Sequence, residues 1–204
     1  MKLTNVSVFF IVIGLSLSLV TSSVCLAGSD VTSQLKSTID KVIKIAKDEG
    51  LKSNKRDRRM AMQKAIDERF SYSQMVRRSL GKTWDSLSGQ EKQNFMKLFK
   101  GLLENSYASK LESYRDEKIN YTGEVIKGEY ALVKTDIVRS NSTIRVDYKL
   151  ILVNGKWEVY DFVIEGVSMI RNYKSQFTKI IRRDSYEVLV EKLTKKISEL
   201  EKES

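Results

Sequence analysis

The 204-residue chain has no histidine, no proline and a single cysteine, and its 36 Lys+Arg against 26 Asp+Glu leave a formal net charge of +10. Ser-His-Asp and Cys-His catalysis and the usual zinc clusters are excluded without histidine, while the length fits one domain with a real core. A basic surface draws a protein weakly toward anionic lipid or acidic partners, in a salt-dependent way, and it also serves solubility.

The chain opens with Lys2, an apolar run from Val6 to Val20, and then small residues through Val24-Cys25-Leu26-Ala27-Gly28. A lone basic residue, about 15 apolar or small residues and a small-residue end predict a secretory signal peptide rather than a membrane anchor, which needs about 20. Cleavage is expected after Ala27. The rival, a lipoprotein acylated on Cys25, calls for a small residue where Val24 stands. Cleavage removes the only cysteine, so no disulfide or thiol nucleophile is expected in the mature protein. Beyond the leader no apolar stretch approaches a spanning length.

Val31, Leu35, Ile39, Val42, Ile43 and Ala46 recur at helical spacing. A polar, basic break is expected at 52–59, followed by shorter helices carrying Met62, Ile66 and Phe70, then Met75, Val76 and Leu80 before a stop at Gly81. Ser88 and Glu91 have capping-box spacing, and Phe95, Leu98, Phe99, Leu102, Leu103, Tyr107 and Leu111 form one broad apolar face behind them.

The period then changes to two. Strands are predicted at 118–122, 130–138, 143–153 and 156–165. The third places Ile144, Val146, Tyr148, Leu150 and Leu152 on one side and Arg145, Asp147 and Lys149 on the other; Asn154-Gly155 signals a two-residue hairpin into the fourth. Helical spacing returns after Gly166 in Ile170, Tyr173, Phe177 and Ile181, and again from Tyr186 to Leu200, with a fraying end over 195–204. The expected organisation is a signal peptide over 1–27 and one domain over 28–204, mainly helical to 115, an antiparallel sheet over 116–166 and helical beyond. The fold class is α+β.

Gly123 to Gly128 has the glycine spacing of a phosphate loop, but Glu129-Tyr130 stands where Lys and Ser/Thr are required, so a hairpin turn is expected there. The sequons at Asn120 and Asn141 read as chance matches in an exported chain. Asp161 and Glu165 are expected on the same strand face, about 13 Å apart, too far for a glycosidase pair at roughly 5 to 9.5 Å. Asp161 sits among apolar neighbours, which favours a structural carboxylate that accepts hydrogen bonds or pairs with a base over a catalytic one. Basic clusters at 55–59, Arg77-Arg78 and Arg182-Arg183 lack the aromatic interleaving of nucleic-acid binders and read as solvated or docking faces; no nucleic-acid partner is expected.

Two stretches carry more than a pattern. Phe70 to Trp84, continued by Leu87-Ser88, Glu91, Phe95, Leu98-Phe99, Leu102-Leu103, Tyr107 and Leu111, and then Val159-Tyr160-Asp161-Phe162-Val163-Ile164-Glu165-Gly166 through Phe177, resemble the central helices and the last strand and helix of the MlaC, or toluene-tolerance, family. Order, spacing and leader agree over nearly the whole mature chain. Gly89 departs, standing where many relatives have proline.

The resemblance implies a curved, cone-shaped antiparallel sheet of the NTF2-like kind whose surrounding helices enclose an apolar pocket for phospholipid tails. It implies a non-enzymatic periplasmic carrier that serves outer-membrane lipid asymmetry, with phospholipid as cargo and no cofactor or metal. The implied partners are an inner-membrane MCE-type ABC transporter complex and an outer-membrane lipoprotein complex. Another amphiphile such as a hopanoid is the alternative cargo; a pure adaptor with a self-filled pocket, or an enzyme using Asp161 as base, are the alternative classes. Exposing two acyl chains of about 30 methylenes to water costs on the order of 25 kcal/mol at about 0.8 kcal/mol per methylene, which is why a tail-binding lining is needed. The candidate lining is Val133, Ile137, Ile144, Val146, Tyr148, Leu150 and Val163 from the sheet, with Met75, Leu80, Trp84, Phe99, Leu103, Tyr107, Met169 and Tyr173 from helices; each is equally suited to ordinary core. Asp161, Glu165, Asn172 and Gln176 are expected to fix the strand-to-helix junction.

Overall fold

A computed structural model describes residues 31–112, 114 and 116–202; the leader, Cys25 and the expected cleavage at Ala27 lie outside the described residues. Six helices come first: α1 (Val31–Ala46), α2 (Glu49–Lys52), α3 (Lys55–Asp67), α4 (Tyr72–Leu80), α5 (Lys82–Ser86) and α6 (Gly89–Glu112). Strands β1 (Lys118–Lys127), β2 (Tyr130–Val138), β3 (Thr143–Val153), β4 (Lys156–Ile164) and β5 (Val167–Ser168) follow, and α7 (Met169–Arg183) and α8 (Tyr186–Lys202) close the chain. The five strands form one antiparallel meander in chain order. Among the described residues no helix is long and apolar enough to cross a membrane.

Local chemistry explains most boundaries. Ser88 Oγ accepts the Glu91 amide at 3.3 Å while the Glu91 carboxylate accepts the Ser88 amide at 2.8 Å, the reciprocal cap expected for α6. Gly81 ends α4 at φ +58, a conformation that costs a residue with a β-carbon. Two tight hairpins carry the sheet: Asn154-Gly155 (φ 48 and 78) joins β3 to β4, and Glu165-Gly166 (φ 49 and 81) joins β4 to β5. Positive φ at both central residues is the hairpin turn whose twist matches the strands it joins.

Four expectations need correction. The basic stretch 55–59 is not a break but the opening of α3, because Asn54 caps it by accepting the Asp57 amide at 3.2 Å. Phe70 lies off the helix: Ser71 N donates to the Val159 carbonyl at 2.9 Å and Val159 N to the Arg69 carbonyl at 2.8 Å, so this segment lies along β4 as a short bridge. The first strand runs on to Lys127, through a bulge at Thr122. Glu165 is a turn residue, not a strand partner of Asp161; its amide and its carboxylate both bond the Arg145 backbone and close the sheet there.

A second bulge decides how the sheet faces the helices. Lys149 pairs with Asp161 and Leu150 with Val159, which leaves Tyr160 as an extra residue on β4. An extra residue inverts the alternation beyond it. Trp157 and Val159 therefore share a face with Leu152 and Leu150, but past the bulge that face is taken by Phe162 and Ile164, opposite Tyr148 and Val146. Asp161 is turned the other way, and there it ties three elements together. Its carboxylate, 3% exposed, accepts from Lys149 Nζ at 3.0 Å, Ser168 Oγ at 2.7 Å and the Ile170 amide at 3.1 Å. Ser168 Oγ in turn accepts the Arg171 amide at 3.1 Å, capping α7.

The helical core is aromatic. Phe177 of α7 meets Phe95 and Phe99 of α6 edge to face at 5.8 and 6.0 Å, with Leu189 and Leu193 of α8 buried beside them. On the sheet, Val133, Leu150, Val159 and Trp157 are buried at the end lying under α1, whose N-terminus is pinned to β1 by Thr32 N donating to the Glu124 carboxylate at 3.0 Å.

Removing the Asp161 carboxylate strands the buried side of Lys149, a serine hydroxyl and a helix amide. Asp161→Ala is expected to cost about 3 kcal/mol of stability, and Asp161→Asn, which keeps an acceptor, clearly less; urea denaturation of both variants beside the parent measures the two losses.

Candidate functional site

The side of the sheet carrying Val133 and Leu150 also carries Ile119 and Tyr121 of β1, Thr135 and Ile137 of β2, Ile144, Val146 and Tyr148 of β3, and Phe162 and Ile164 of β4, as their register pairs require. The opposite side carries Lys134 and Arg145, which are exposed, and Asp136, Asp147 and Lys149, which are half-buried. The apolar side is not uniformly covered. Val133, Leu150 and Val159 have no exposure, whereas Ile119, Tyr121, Ile137, Ile144, Tyr148, Phe162 and Ile164 remain half-buried.

The reason lies in α6. Its backbone packs mainly on α8, α4 and α3 rather than on the strands, and it reaches the sheet through Tyr107, whose ring meets Phe162 edge to face at 5.4 Å. Phe70 approaches Phe162 from the other side at 6.3 Å. The incompletely covered apolar face between this part of the sheet and the C-terminal half of α6, bridged by Tyr107 and Phe162, is the candidate hollow.

Three phenols report the character of that hollow. Burial alone pushes the Tyr148 hydroxyl up to about 12, although the residue as a whole is only half-buried. Burial, helped by Tyr173 nearby, pushes Tyr107 up to about 12. Tyr121 is raised as well, by burial first and then by Tyr148, Asp40 and Tyr114, and its hydroxyl is buried with no hydrogen-bond partner. An unpaired buried hydroxyl costs free energy unless something else satisfies it.

The structure divides the candidate lining residues. Ile137, Ile144 and Tyr148 lie half-buried on this face with the buried Val146 between them, and Tyr107 reaches the same face at Phe162; Val133, directly across from Tyr148, and Leu150 share the face with no exposure. Val163 pairs with Asp147 and Ser168 and faces the other side of the sheet, the inversion caused by the bulge. Met75, Leu80, Phe99 and Leu103 sit in the buried core, where Phe99 meets Tyr173 at 5.2 Å, and the Tyr173 hydroxyl bonds Ser106. Trp84 packs on the same core under the Lys92 ammonium, 5.3 Å from its ring, and Met169 is the half-buried first residue of α7.

Sequence reasoning passed over Ile119, Tyr121, Thr135, Phe162 and Ile164. The first three follow the alternation of their strands and were legible from it. Phe162 and Ile164 were hidden because unbroken alternation from Trp157 points to Asp161 and Val163 instead.

Asp161 is unsuited to act as a base. Both its oxygens are occupied, and it lies on the side of the sheet away from the hollow. Asn172 and Gln176, expected at the junction, are exposed on α7, where Gln176 Nε2 donates to Asn172 Oδ1 at 3.3 Å. Among the described residues no three His, Cys, Asp or Glu side chains gather as a metal site would require.

A family model described as MlaC protein matches residues 36–195. A curated protein of Haemophilus influenzae, the intermembrane phospholipid transport system binding protein MlaC, is 29% identical over 126 residues, a stretch that spans 59% of this chain and 59% of the relative. Among solved structures, a phospholipid-binding protein from Ralstonia solanacearum in complex with a phospholipid superposes with a TM-score of 0.77 at 23% identity, covering 84% of this chain and 98% of that one. That likeness shows the α+β fold: N-terminal helices, an antiparallel sheet of four main strands, and C-terminal helices.

The Tyr148 phenol supplies a test of the hollow. An ordinary tyrosine loses its proton near pH 10, so between about 10 and about 12 the unfolded chain has released the Tyr148 proton while the folded chain retains it. Stability is then full below about pH 10 and declines as pH rises through that window. Tyr148→Phe is expected to make the decline shallower, read from urea midpoints at about pH 9 and about pH 11, and to remove one late step from the phenolate absorbance titration.

Proposed function

The chain belongs to the MlaC family, and from that premise we propose that it is a periplasmic carrier that holds the acyl tails of a phospholipid in the hollow between the sheet and α6. The carrier makes and breaks no covalent bond. Its cargo is taken from one membrane-bound Mla complex and surrendered to another, an MCE-type ABC transporter at the inner membrane and a lipoprotein assembly at the outer membrane, so that outer-membrane lipid asymmetry is maintained. The named function of the Haemophilus influenzae relative and the phospholipid held by the Ralstonia solanacearum structure support this reading. So does the expected leader ending at Ala27.

The observation that carries the reading is the incomplete covering of the sheet's apolar face, where Ile119, Tyr121, Ile137, Ile144, Tyr148, Phe162 and Ile164 stay half-buried beside a Tyr148 hydroxyl raised by burial alone. A self-filled adaptor would have covered those side chains. Ile137, Ile144, Val146, Tyr148, Phe162 and Tyr107 are the proposed tail contacts, with Ile119, Tyr121 and Ile164 extending the surface. The Tyr121 hydroxyl is the one polar donor there without a partner among the described residues. The sealed residues Val133, Leu150, Met75, Leu80, Phe99 and Leu103, with Trp84, Met169 and Tyr173, support the wall from behind, and Val163 belongs to the opposite face. Residues 28–204 form the single carrying domain.

Native mass spectrometry of the gently purified mature protein is expected to show an adduct of phospholipid mass. Absence of any adduct, together with no uptake from liposomes, overturns the carrier reading. Ile144→Asp places a charge against the tails on a half-buried strand position, and is expected to weaken lipid retention tenfold or more, roughly 1.4 kcal/mol, while circular dichroism stays that of the parent. Unchanged retention would move the tails away from this face.

A further inference from the structure

On the far side of β4 from the hollow, α4, α5 and the start of α7 enclose an open-sided cleft of about 820 Å3 against β3 and β4. Six cations line it: Arg77, Arg78, Lys82, Lys149, Arg171 and Lys174. Two carboxylates share its walls, Asp85 and Asp161, and Asp161 is committed to Lys149, Ser168 and the Ile170 amide. Among the described residues, none of the other five cations forms an ion pair. Elsewhere on the surface lysine and arginine find acidic partners readily, as Lys36 does with Asp40 and Lys192 with Asp184. Crowding like charges around a concavity without such partners costs folding free energy, and it raises the local concentration of anions.

The cations are also arranged. The Arg78 guanidinium lies 4.3 Å from the Tyr160 ring centre and donates to the Gln74 side chain and carbonyl, so its plane is fixed. Tyr160 stands on this side because the bulge turns it here, next to Tyr130 at 6.0 Å. Lys174 lies across Gly81, where a β-carbon would stand in ordinary contact with its Cε at 3.5 Å. A planar, oriented guanidinium with ammonium groups around it matches a tetrahedral oxyanion with two or more free oxygens. Tyr130, Ile151 and Ile170 add an apolar margin on which a small organic group can rest.

We propose that this cleft is a second ligand site, separate from the hollow, that binds a phosphate ester through Arg78, Arg171 and Lys174. The inference stands independently of the carrier reading, since none of these residues faces the tails. The phosphate comes from one of two sources, a free phosphate ester or the head group of an anionic lipid at a membrane surface, and the experiment separates them.

Binding to the full mature chain is measured by calorimetry with inorganic phosphate and glycerol 3-phosphate, and by co-sedimentation with vesicles of phosphatidylglycerol or of phosphatidylcholine. Saturable binding of glycerol 3-phosphate identifies the free ester; binding of phosphatidylglycerol vesicles alone, and not phosphatidylcholine, identifies the head group. Either is expected to fall at least tenfold in Arg78→Gln and in Lys174→Gln, to be unchanged in Lys196→Gln on the distant α8, and to weaken as salt rises. Because Arg78 packs on Tyr160, the exposed Lys174 variant guards against a folding defect. The phospholipid adduct in native mass spectra is expected to persist in both cleft variants, which separates this site from the hollow. No binding to any of the four probes, an equal loss in Lys196→Gln, or loss of the adduct together with phosphate binding overturns the proposal.

Discussion

One carboxylate holds the sheet and the C-terminal helices in a common frame. Asp161 bonds a lysine on β3, a serine on β5 and the first turn of α7, so strand curvature, hairpin and helix direction are fixed at a single buried point. It can do so because Tyr160 is an extra residue in β4, and both consequences of that bulge are useful. Past it, Phe162 and Ile164 turn toward the α6 side, while Asp161 faces the other way and lines the basic cleft, beside which Tyr160 stacks on Arg78. A one-residue irregularity thus assigns opposite chemistries to the two sides of one strand.

The apolar wall is a compromise between packing and vacancy. At the α1 end it behaves as ordinary core, closed and free of water. Toward β1 and the C-terminal half of α6 the helix stands off, touching the sheet through Tyr107 and leaving several isoleucines and tyrosines half-covered. Each uncovered apolar side chain forgoes stabilisation that a sealed core would collect, at about 25 cal/mol for every Å2 left wet. The aromatic cluster of Phe95, Phe99 and Phe177 packs α6 against α7.

Much of this was legible from residue order alone. The capping pair Ser88 and Glu91, the Asn154-Gly155 hairpin, the stop at Gly81 and the alternation of β3 are local signals, and local physics settles them. The structural role of Asp161 was legible too, because a carboxylate among Tyr160, Phe162 and Val163 has few stable alternatives to a bonded pair. What escaped depends on partners distant in sequence. Phe70 looks like one more helical apolar residue until β4 offers Val159 as a backbone partner. The bulge at Tyr160 is invisible without Lys149 opposite, so Val163 was placed on the wrong side of β4 relative to Val146 and Tyr148, and Phe162 was missed. Met75 and Phe99 satisfy the pattern of core and of lining equally; only the position of α7 shows that they are sealed from the hollow.

The three phenols around the hollow have a bearing on how the proposed cargo leaves. With no histidine in the chain and with Tyr107 and Tyr148 held neutral up to about 12, the lining keeps one charge state across the acid and neutral range. The carboxyl that most affects Tyr121 is Asp40, itself tied to Lys36 at 2.5 Å on the outer surface of α1. Acidity is therefore no key to this container. In the proposed carrier, release falls to a parting of the walls or to competition from another oily surface.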